Sequence, residues 1–103
     1  MQTGAKLVPI APTGWDARPR FENPPPFVHE GPEHYFQPTG EELQQFLQTA
    51  IDFTCKYNET VEAQTVLISS WNENSENGAP LIPTLGNGTL YVDTLSKILP
   101  LYC

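Results

Sequence analysis

The chain has 103 residues, a formal net charge of -7, 39% hydrophobic and 11% aromatic residues, 11 Pro, 7 Gly and 2 Cys. That length holds one domain at most, and no large enzyme fold is complete within it. Twelve acids against five bases argue against a nucleic-acid-binding surface, the aromatic content argues against a disordered acidic chain, and no apolar run is long enough for a transmembrane helix. Met1 to Lys6 lead into a short apolar segment broken by Pro9 and Pro12, which reads poorly as a signal peptide. Secretion would need a signal outside this chain.

In chain order, Lys6 to Ala11 reads as a short apolar strand, although Pro9 cannot donate to a ladder. A turn with an aromatic and an acid follows, Pro12-Thr13-Gly14-Trp15-Asp16. Arg18 to Pro38 holds Pro19, Pro24, Pro25, Pro26, Pro32 and Pro38 and is expected to form neither helix nor central strand. Its aromatics, Phe21, Phe27, Tyr35 and Phe36, predict a loop that packs against something. Thr39-Gly40-Glu41-Glu42 is a capping box. Leu43, Phe46, Leu47, Ala50, Ile51, Thr54 and Cys55 then recur at helical spacing, predicting an amphipathic helix from about Gly40 to Lys56.

Thr65 to Ser70 (TVLISS) reads as a second strand buried on both faces, because polar alternation is missing until its end. A polar loop from Trp71 to Gly88 carries one apolar patch, Leu81-Ile82-Pro83. A last helix is expected from about Thr89 to Leu99, with Tyr91, Val92, Leu95, Ile98 and Leu99 inward. Two βα units imply an α/β fold with a parallel sheet. Two strands cannot bury two amphipathic helices and their own faces, so the chain reads as a single partial domain, 1–103.

Cys55 and Cys103 have no metal-site spacing. Two cysteines allow one bridge, but Cys55 on the inner helix face reads as a small buried apolar residue. Cys103, the last residue, belongs to a segment expected to fray. Asn58-Glu59-Thr60 and Asn87-Gly88-Thr89 are glycosylation sequons in loop-like stretches.

Both strands run into a loop opening with Trp and an acid: Gly14-Trp15-Asp16-Ala17-Arg18-Pro19-Arg20, and Ser70-Trp71-Asn72-Glu73-Asn74-Ser75-Glu76. An extended backbone would send Trp71 and Glu73 to the same side. An indole beside a carboxylate suits a sugar, whose apolar face stacks on the ring while the acid acts at the anomeric centre. Glycoside hydrolysis needs two carboxyl groups, and Glu73, Glu76 and Asp16 are the candidates. Trp15 and Trp71 are candidate stacking platforms, and Arg18, Arg20 and Asn72 candidate hydroxyl binders. Each has a plainer reading. Trp71 caps the core, Glu73 pairs with Arg18 or Arg20, Glu76 is solvated, Asp16 holds backbone amides, and the arginines brace the loop by pairing with Glu22 or Asp16. His29 and His34 lack the partners a metal site needs, and no cofactor is called for.

The stretch TVLISSWNENSENGAPLIPTLGNGTLYVDTLSKIL resembles the C-terminal end of a glycoside-hydrolase-like (β/α)8 family. That family includes the WbsX-type proteins of polysaccharide biosynthesis and is similar in style to endo-α-mannosidase-type barrels. The shared order is an apolar strand, Trp71-Asn72-Glu73, a second acid (Glu76), Pro83-Thr84, and Gly88-Thr89 opening the last helix. KLVPIAPTGWDARPRFENPPP resembles the preceding strand and loop. Relatives usually show acid-Gly after Trp-Asn-Glu, where this chain has Glu76-Asn77-Gly78. The resemblance implies strands 7 and 8 of an incomplete TIM barrel, carbohydrate as the ligand class, and a missing N-terminal part of the barrel as partner; the Trp-acid pairs at the two strand ends make Glu73 the expected acid/base or nucleophile, assisted by Asp16 or Glu76. A whole barrel needs about 250 residues. Two alternatives stay open: a non-catalytic carbohydrate-binding barrel remnant, and a stand-alone interaction domain with Trp15 and Trp71 in its core.

Overall fold

The structure is a computed structural model and describes residues 3–27, 29, 31–75, 81–99 and 103. Its elements are β1 (Ile10–Pro12), α1 (Arg18–Glu22), α2 (Gly40–Lys56), β2 (Leu67–Ser69) and α3 (Leu90–Ile98), with a short 3-10 turn at Glu62–Gln64. β1 and β2 pair in parallel, Ile10 opposite Leu67, Ala11 opposite Ile68 and Pro12 opposite Ser69. The fold is a small α/β arrangement with a two-stranded parallel sheet.

The capping box forms as its residues require. Thr39 Oγ1 accepts from the Glu42 amide at 3.2 Å, and Glu42 Oε2 accepts from the Thr39 amide at 2.9 Å. Two orphan donors of the first turn are thereby satisfied. α2 buries Leu43, Leu47, Ile51 and Thr54. These side chains pack with Ala11 of β1, Leu81, and Tyr91 and Ile98 of α3 to form the core. Ala50, Cys55, Val66, Ile68 and Leu95 pack around its margin. At the start of α2 a Cβ on Gly40 would lie 3.1 Å from Thr94 Oγ1 and 3.2 Å from Leu90 Cδ1, so the absence of a side chain lets α3 approach closely.

Four expectations need correction. The Pro-rich segment contains a helix after all: α1 carries Pro19 in its first turn, where the missing amide costs no hydrogen bond. β2 is not buried on both faces, because Leu67 is 53% exposed and Ile10 beside it 65%. Only the face holding Ala11 and Ile68 meets the helices. On α3 the buried residues are Tyr91, Thr94 and Ile98, and Leu99 is exposed. Lastly, Cys55 and Cys103 form a disulfide, with the sulfurs 2.02 Å apart. The C-terminal residue is therefore tied to the last turn of α2.

Candidate functional site

Loops leaving parallel strands meet at the carboxyl edge of the sheet, and ligands of α/β folds bind there. β1 ends at Pro12 and β2 at Ser69, and the two exits are stitched together. The Thr13 amide donates to the Ser69 carbonyl at 2.6 Å, its hydroxyl donates to the same oxygen at 3.2 Å, and the Ser70 amide donates to Thr13 Oγ1 at 3.3 Å. The Ser69–Ser70 peptide bond is cis.

A cavity of about 720 Å³ opens at this edge, within the range of small-molecule sites. The strand exits supply Thr13, Gly14, Trp15, Ser69, Ser70 and Glu73 to its wall. The Pro-rich segment adds Tyr35 and Pro38, and α2 adds Glu42, Leu43 and Phe46. Three aromatic rings and two carboxylates thus face one space.

The candidates separate clearly. Glu73 and Trp15 line the cavity; Trp71, Asn72, Asp16, Arg18 and Arg20 are not in its wall. Trp71 and Glu73 are not sent to the same side by an extended strand, because β2 stops at Ser69 and the chain bends at Trp71 and Asn72. The Trp71 carbonyl accepts from the Ile82 amide at 3.1 Å. Glu76 lies outside the described residues.

Asp16 and Arg18 form a closed unit. Arg18 donates Nε–H to Asp16 Oδ1 at 2.9 Å and a terminal N–H to Oδ2 at 2.6 Å, and its backbone amide donates to Oδ1 at 3.0 Å. Asp16 is buried. The Arg18 hydrogen bonds outweigh the desolvation of burial and lower its pKa to about 2. A carboxyl held that low is ionised at ordinary pH and is a poor proton donor. The Ala17 and Tyr35 amides donate to the Glu33 and Trp15 carbonyls, fastening the turn to the Pro-rich segment. Arg20 reaches the other loop: its Nε donates to Ser75 Oγ at 3.3 Å, and its terminal nitrogen lies 3.9 Å from Glu73 Oε2. The first loop therefore positions the second across the cavity rim.

Sequence reasoning missed Tyr35, Glu42 and Phe46 as wall residues. Glu42 was accounted for by its cap and Phe46 by the apolar stripe. Phe46 is 47% exposed, and that departure from a core position is visible only in three dimensions. Among the described residues no group of three or more His, Cys, Asp or Glu is placed to hold a metal ion, and no helix is long and apolar enough to cross a membrane. Comparison with family models, curated proteins and solved structures finds no match to this chain.

Proposed function

We propose that this chain is the C-terminal βαβα portion of a glycoside-hydrolase-like (β/α)8 barrel that binds a glycan in the cavity at the strand ends. The observation that carries the reading is the joint presence of Trp15, Tyr35, Phe46, Glu42 and Glu73 in one cavity at the carboxyl edge of two adjacent parallel strands. Trp15 offers a flat apolar face for a sugar ring. Glu73 is the acid/base or nucleophile, with the Arg20 guanidinium 3.9 Å from its Oε2. Glu42, which lines the same cavity, is the structural candidate for the second carboxyl group that glycoside hydrolysis requires, with Glu76 and Asp16 as the sequence-derived alternatives.

The sheet supports the barrel part of the reading. Ile10 and Leu67 expose one sheet face, the face a closed barrel turns inward. The surface area is 7219 Å², whereas a compact monomer of this mass exposes about 5,800 Å².

In the barrel protein carrying this segment, Glu73→Gln is expected to lower release of reducing ends about a thousandfold or more, with oligosaccharide binding retained. Trp15→Ala is expected to weaken binding, read by tryptophan fluorescence titration. Unchanged turnover in Glu73→Gln removes Glu73 from the chemistry.

A second reading, sugar binding without chemistry, is favoured by one specific observation. Asp16 is engaged by Arg18 and Glu42 by its helix cap, so among the described residues of the cavity wall Glu73 has no uncommitted carboxylate beside it. Tight binding of an oligosaccharide that is never cleaved by the wild-type protein decides for this reading.

A further inference from the structure

We propose that the protein is N-glycosylated at Asn58, in an oxidising secretory compartment. Two independent features converge on this residue. Asn58-Glu59-Thr60 has the acceptor pattern, with no proline at its centre. Three residues upstream, Cys55 is joined to Cys103, and structural disulfides persist in the oxidising compartments of the secretory route.

The fold leaves room for the product. A glycan is bulky and must stand at the surface. Asn58 is exposed at the tip of the turn that ends α2. The Tyr57 amide donates to Phe53, and the Thr60 and Val61 amides donate to Tyr57; Lys6 Nζ and the Leu7 amide donate to the Glu59 and Thr60 carbonyls. Asn58 also lines a hollow of about 200 Å³ with Cys55 and Cys103, so a glycan there stands next to the disulfide. The other sequon is more confined. Asn87 is half-buried in the turn from Thr84 to Gly88; its amide donates to Thr84 Oγ1, and its carbonyl accepts from Leu90. The Thr89 hydroxyl donates to Asp93 Oδ2 at 2.7 Å.

The donor is a lipid-linked oligosaccharide pyrophosphate. The Asn58 side-chain nitrogen bonds to the anomeric carbon and gives up one proton. The bond from that carbon to the pyrophosphate oxygen breaks, and the lipid pyrophosphate leaves with the electron pair. No oxidant or reductant is consumed.

The test uses the full protein recovered from the cells that make it. Peptide-N-glycosidase digestion in heavy-oxygen water converts a glycosylated Asn to heavy-labelled Asp, read by peptide mass spectrometry. The label is expected at Asn58. Asn58→Gln and Thr60→Ala are expected to abolish it, and Thr60→Ser to retain it. An unlabelled Asn58, label at Asn87 alone, or free thiols at Cys55 and Cys103 in that protein would each overturn the proposal.

Discussion

Asp16 shows how one side chain can carry two readings. A Trp-Asp pair at a strand end invites a catalytic reading. The same spacing places Arg18 two residues on, where its guanidinium and its amide both reach the carboxylate. With the folded pKa lowered to about 2 from 3.8, the folded state binds fewer protons than the unfolded chain between those values. The stabilisation is complete above about pH 5 and is lost as pH falls through 4 towards 2. Equilibrium unfolding across that range is expected to show wild type losing its advantage over Asp16→Asn as pH falls. A gap that stays constant with pH would mean that the pair contributes nothing through ionisation.

At the scale of elements, legibility follows sequence distance. α2 begins at Gly40 and ends at Lys56, as the stripe and the capping box predict, because both signals act within four residues. Thr39→Ala removes the side-chain acceptor for the Glu42 amide and is expected to cost about 1 kcal/mol, measured by denaturant unfolding. A loss below about 0.3 kcal/mol would mean that water replaces the cap. The strands are less legible. β1 and β2 are three residues each, and short apolar runs carry no periodicity that tells a one-sided sheet from a fully buried one. α1 was missed because a proline density that excludes helix interiors does not exclude a first turn.

For the whole molecule, the disulfide and the open sheet are the two facts of consequence. The bond closes a loop with a sequence separation of 48. In the chain-entropy account, such a cross-link stabilises the fold by about 4 kcal/mol. Cys55→Ser with Cys103→Ser is expected to lose about that much relative to the oxidised protein, read from the shift in unfolding midpoint. A loss under about 1 kcal/mol would show that the unfolded chain is already compact without the bond. The radius of gyration is 15.8 Å, against about 13 Å for a compact chain of this length.

The amino-acid sequence determined by itself what depends on near neighbours: the α2 helix and its cap, a last helix ended near Pro100, two apolar strands in βα order, and an aromatic-acid pair at each strand exit. Only the tertiary structure decided which of those pairs share a space. Glu73 shares a cavity wall with Trp15 of the other loop, and not with Trp71 two residues before it, because the chain bends directly after β2. It also decided that Glu42 and Phe46 line a cavity and that Cys55 has a partner. Each of these rests on where non-local packing turns a side chain, and no spacing along the chain encodes that direction.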